Sequence, residues 1–153
     1  MIVVNSKDEL KKLINQRIEQ RSPKCDLNDI DVSRIKDMSL LFDNSPFDGD
    51  ISQWDVSNVE DMSYMFSDSY FNGDIRGWDV SKVRDMCYMF ASSQFNRDLS
   101  KWNVSGVEDM SEMFMWSQFD GDISNWDVSN VEDMRCIFIK TPLDGHEPKW
   151  YRP

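Results

Sequence analysis

The sequence predicts an α/β repeat solenoid: five stacked 24-residue units, each a strand plus a short helix, behind an N-terminal helical cap. Three observations predict it. Trp54, Trp78, Trp102 and Trp126 recur at a constant interval, a 24-residue period, and Ile30 holds the same slot one period earlier. Eight columns are apolar in each full unit, in the second being Trp54, Val56, Val59, Met62, Met65, Phe66, Phe71 and Ile75. Finally, all nine Phe and eight of the ten Met fall in those columns, which marks them as layers of a shared core and not as a cofactor box.

Taken in chain order, the first element is a helix over Lys7 to Gln20. Ser6-x-x-Glu9 is a capping box, and Leu10, Leu13, Ile14 and Ile18 form one apolar face. Segment 1–24 has six basic and three acidic residues, whereas 30–140 has nine and twenty-one, so a basic helix is placed to cover the first of a series of acidic units. Within a unit, Ser57-x-x-Glu60 again reads as a capping box, recurring as Ser105-x-x-Glu108 and Ser129-x-x-Glu132. Behind it Val59, Met62, Met65 and Phe66 lie at helical spacing, predicting a short helix from about Asn58. Phe71-Asn72-Gly73-Asp74-Ile75 then reads as a turn feeding a short strand, with Trp78 and Val80 alternating about Asp79. One strand and one short helix per period make a leucine-rich-repeat-like unit. A single unit cannot bury its apolar face, so the units stack and the ends are capped. The boundaries are 1–29 for the N-terminal cap, 30–145 for five units, and 146–153 for a C-terminal capping tail, all one structural domain.

Composition narrows the function. The 153 residues carry 17 Lys plus Arg against 28 Asp plus Glu, a net charge of -11. Such a surface repels nucleic-acid phosphates and anionic membranes and favours basic partners. No apolar run is long enough for a membrane span, and the start MIVVNSKDELKK lacks the apolar stretch of a signal peptide, so a cytoplasmic location is expected. Cys25, Cys87 and Cys136 are odd in number and widely spaced, which predicts reduced thiols. With one His in the chain, neither an enzyme nor a cofactor is expected.

Two Asp columns raise the question of metal. Asp37, Asp61, Asp85, Asp109 and Asp133 form one, and Asp50, Asp74, Asp98 and Asp122 the other. A calcium stack is one reading. The other is structural, with the first column at helix N-termini and the second in tight turns. The structural role is the expected one, and no metal site is predicted. The Ser column (Ser33, Ser57, Ser81, Ser105, Ser129) is expected to cap helices.

Positions that the repeat leaves free point to a partner. Residues four apart on each expected helix face solvent, which groups Leu40, Tyr64, Tyr88, Met115 and Trp116 into an apolar and aromatic stripe flanked by charge. The alternative is that these side chains pack between neighbouring units. A second candidate lies on the expected strand face, where Arg76, Arg97 and Lys101 interrupt an acidic, Ser-rich surface.

Units such as WDVSNVEDMSYMFSDSYFNGDIRG resemble the Met- and Phe-rich repeat of BspA-like surface proteins, a distant relative of leucine-rich repeats. The resemblance spans Ile30 to Gly145. It implies a solenoid without catalytic activity, used in adhesion or protein interaction. The expectation is a non-enzymatic protein-binding module with a protein partner of basic character, with open stack ends and exposed aromatics leaving room for a homodimer. An acidic inhibitor or DNA mimic that blocks a nucleic-acid-binding or defence enzyme is the alternative, and a surface adhesin comes third.

Overall fold

The computed structural model describes residues 1–153. Its regular elements are few: β1 (Ile2–Val3), α1 (Lys7–Gln20) and β2 (Ile30–Asp31), with β1 and β2 paired in parallel. α1 forms as the sequence dictates. Ser6 Oγ accepts the Glu9 N–H at 3.2 Å, which satisfies one orphan donor of the first turn, and the Glu9 carboxylate reaches back past the cap to the Asn5 N–H at 2.7 Å. Leu10 and Ile14 are wholly buried against the end of the stack, and Arg17 ties down the last turn through both guanidinium nitrogens on Asp29, at 3.0 and 2.8 Å.

Beyond α1 the chain lays successive 24-residue units side by side. Parallel bridges join Asp37 to Asp61, Asp61 to Asp85, Asp85 to Asp109 and Asp109 to Asp133. The units themselves differ from the strand and short helix expected of them. No helix forms in any unit, and the two residues of β2, at the start of the first, are the only strand within them. The segment expected to be helical is instead a train of turns, closed in the third unit by Met89 N–H to Met86 O, Ala91 to Tyr88 and Ser93 to Phe90 at 3.1–3.2 Å. Two residues of each train hold φ between 52° and 63°, as Tyr64 and Asp68 do in the second unit. An α-helix needs φ near -63° at every position, so these residues exclude one.

The left-handed residues cost about 1 kcal/mol or more each, and the lateral bonds offset it. They turn alternate N–H groups toward the next unit, where Met62, Tyr64, Phe66 and Asp68 donate to the carbonyls of Asp85, Cys87, Met89 and Ala91 at 2.9 Å. The same four bonds recur between every adjacent pair of units from Met38 to Ile139. A helix would spend those N–H groups internally, and the main series of backbone bonds between neighbouring units would be lost.

Side chains complete the stack. Phe42, Phe66, Phe90, Phe114 and Phe138 stack ring over ring at 5.5–6.3 Å, and Phe47, Phe71, Phe95 and Phe119 form a second column at 6.1–6.5 Å. Trp54, Trp78, Trp102 and Trp126 each send the indole N–H to a carbonyl one layer back, from Trp54 on Leu27 (2.9 Å) to Trp126 on Leu99 (3.0 Å), so the polar end of a buried ring is satisfied. Trp150 makes the same bond to Ile123 at 2.8 Å and stacks on Trp126 at 6.3 Å. The 24-residue register therefore runs past both ends of the 30–145 span, to Leu27 on one side and Trp150 on the other. The tail around Trp150 closes the last unit. Tyr151 packs edge-on to Phe138 at 5.1 Å, and Asp144 accepts the Lys140 N–H at 3.0 Å.

Candidate functional site

Asp and Ser shape the turns from which the site is built. Asp61 Oδ1 accepts the N–H of Ser63 at 2.8 Å, and Asp37, Asp85, Asp109 and Asp133 do the same for the residue two places on. Asp50, Asp74, Asp98 and Asp122 repeat the arrangement in the second column. The Ser column expected to cap helices donates such a bond instead: Ser57 gives both its N–H (3.1 Å) and its hydroxyl (2.6 Å) to Asp55. These are Asx turns. They hold the carboxyls of Asp79, Asp98, Asp122 and Asp127 below the usual carboxylate range, chiefly through the bond from the Ser two residues on.

On the face formed by the trains of turns, the structure places Leu40, Tyr64 and Tyr88 in one column and Trp116 in the next. All four are left-handed turn residues, not helix residues. Tyr64 and Tyr88 stack at 4.6 Å, nearly parallel, and are half-buried, so for this pair packing between units is what is observed. The Glu112 carboxylate, together with burial, pushes the Tyr88 pKa up to about 12. Leu40 and Trp116 stand in water, 44% and 57% exposed. Met115 is half-buried, and Ile139, one unit on in the same column, is 40% exposed. Sequence reasoning missed Ile139, which stepping one period on from Met115 would have found.

Arg76, Arg97 and Lys101 lie elsewhere, and no strand underlies them. Arg76 pairs with Asp74 at 3.2 Å, and the Arg97 Nε–H donates to the Asn72 carbonyl at 2.9 Å. Lys101 is exposed, and with Arg76 it adds to the pull of Ser100 on the Asp98 carboxyl. Two of these three cations are therefore engaged within the chain.

The donor atoms of Asp85, Cys87 and Asp109 lie within 4.8 Å of one another. Cys87 occupies the place that Ser63 and Ser111 hold in the flanking units. Burial pushes its thiol well above the ordinary range, helped by its bond to Asp85 and the negative charge of Asp85, Asp109 and Asp61. A protonated thiol is a poor metal ligand and a slow nucleophile. Cys87 is thus expected to react with iodoacetamide at pH 8 far more slowly in the folded protein than in urea. Cys87→Ser should leave stability within about 0.5 kcal/mol of the parent, because serine already makes this turn in both neighbouring units; comparable labelling in the two states would show that the thiol is not held protonated.

An unbroken series of 24-residue units, each bonded to the next through its turns, defines a repeat protein. The chain belongs to the family described as Mycoplasma protein of unknown function, DUF285, which matches residues 9–116 and 71–150. No curated protein and no solved structure matches it. No helix is long and apolar enough to cross a membrane.

Proposed function

We propose that the protein is a non-enzymatic protein-interaction module of the leucine-rich-repeat-like solenoid type, related to the BspA-like repeat proteins, and that it docks its partner on the turn face around Leu40, Tyr64, Tyr88, Met115 and Trp116. Trp116 carries the reading. Its column holds Asn44, Asp68, Ser92 and Lys140 in the other units, so the turn itself does not call for tryptophan. At φ 63° the backbone there favours Gly or Asn, and 57% of the side chain stays in water. A large aromatic kept at such a position serves something outside the chain. Three free cysteines suit a reducing, cytoplasmic setting for that encounter.

A photo-crosslinking amino acid at position 116 should capture a partner protein in cells, and the same group at exposed Asn125, off this face, should not. No adduct at 116, or equal adducts at both positions, would reject the face. The acidic-inhibitor alternative draws on the carboxylate columns, and it predicts a captured partner that duplex DNA displaces.

A further inference from the structure

Resting on the docking face just proposed, we infer that its middle units receive lysine side chains of the partner, each ammonium seated between an Asp carboxylate and the Ser hydroxyl two residues on. The chain displays this seat already filled. Lys7, carried round from α1, places Nζ 2.9 Å from Asp37 Oδ2 and 2.8 Å from Ser39 Oγ on the first unit. Lys11, one turn further along α1, donates to the Leu40 carbonyl at 3.1 Å. A lysine-bearing segment thus lies against the first unit at the Asp37–Ser39 pair and at the head of the Leu40 column.

The same seat recurs unfilled. Asp61 with Ser63, and Asp109 with Ser111, repeat the pair, each hydroxyl 2.7 Å from Oδ1 of its Asp. Oδ2 of both aspartates takes no hydrogen bond from the chain, and neither residue is in an ion pair. At the stack ends the chain supplies its own cation, Lys7 to Asp37 and Arg135 to Asp133. Between them Asp61, Asp68, Asp85, Asp109 and Glu112 face no ion-pair partner. Of the cations closest in sequence, Lys82 is bonded to Asn58 and Arg84 to Glu108. A carboxylate and a hydroxyl side by side suit the compact three-donor ammonium better than the planar guanidinium fork. The Tyr64–Tyr88 stack offers a surface for the lysine stem, and Trp116 with Ile139 offers one for an apolar neighbour.

The test uses a fluorescein-labelled peptide of lysine and alanine with one leucine, and its fully Nε-acetylated form. Asn103 already makes the turn that Asp makes in its column, accepting the Ser105 N–H at 3.1 Å, so Asp→Asn exchanges keep the fold, which an unchanged melting temperature verifies. D61N/D109N should weaken binding about tenfold, while D55N/D79N, which removes the same charge from another column, should weaken it less than about twofold. Equal weakening by the two pairs would reduce the binding to net charge and overturn the inference, as would binding of the acetylated peptide. Crosslinking at position 116 does not depend on partner lysines, so failure of the seats and failure of the docking face are told apart.

Discussion

Replacing Phe90 with Ala is expected to lower the unfolding free energy by about 3–5 kcal/mol, read as a fall in the urea midpoint. Its ring is fully buried and lies 4.3 Å from Phe95, 5.6 Å from Phe66 and 5.6 Å from Phe114. The flanking rings are pinned in their own columns and cannot shift to refill the space. Domains of this size have about 5–15 kcal/mol in all, so the loss is a large share. Phe138→Ala should cost less. It has one stacked Phe neighbour instead of three, and the tail residues Trp150 and Tyr151 on its other side can resettle. In a stack held by nearest-neighbour contacts, a gap in the middle also uncouples the halves. The Phe90→Ala transition should therefore broaden, and that of Phe138→Ala should not. A loss at Phe90 no greater than at Phe138 would mean that the Phe columns are not the core that couples the units.

The period and the buried columns were legible because they depend on side-chain chemistry alone. Trp, Phe and Met repeated at one fixed interval can only be layers, and the helix over Lys7–Gln20 was readable because its cap and its helical apolar face agree. The train of turns that takes the place of a helix in each unit was not legible, and the reason is specific. Met62, Met65 and Phe66 have the spacing of a helical face, yet turns with Tyr64 and Asp68 in the left-handed region bring the same residues inward. The choice between the two is made by the neighbouring unit, whose carbonyls accept the N–H groups that a helix would use. Single-unit reasoning contains no such acceptor. Ser57-x-x-Glu60 misled for a related cause, since Asp55, two residues before Ser57, takes the N–H and hydroxyl first.

Of the candidate site, the aromatic stripe was legible as a set of unconstrained positions, although derived from a helix that does not form. Positions four apart on that helix coincide with the two left-handed residues of each train, so the surface was found by the wrong geometry. The pairing of Lys7 with Asp37 was beyond sequence reasoning, because nothing in a residue pattern says where a lysine on the cap helix reaches thirty residues away.

The cap is held by a pair whose two halves should respond unequally to mutation. Arg17 is 7% exposed, whereas the Asp29 side chain is about half in water. Asp29→Ala leaves a buried guanidinium without its carboxylate. Breaking a fully buried pair this way costs about 3–5 kcal/mol; with one partner half-solvated, about 2 kcal/mol is expected here. Arg17→Met breaks the same bonds but removes the buried charge and keeps the packing stem, so it should cost less. Equal costs would mean that the pair acts only as packing. The pH dependence carries the same signature. Arg17 holds the Asp29 carboxyl below its ordinary value of 3.8, burial opposing. A depressed folded pKa gives stability that is fully present above the ordinary value and lost as pH falls through the folded one. The stability gap between the parent and Arg17→Met should thus be flat near neutrality and shrink as pH drops below about 4. Because the other aspartates, including those in Asx turns, are present in both proteins, taking the difference isolates this one carboxylate. A gap unchanged down to pH of about 2 would show that Asp29 contributes nothing as a charge, and that apolar burial of Leu10 and Ile14 with the Lys7 and Lys11 contacts seats the cap on the stack.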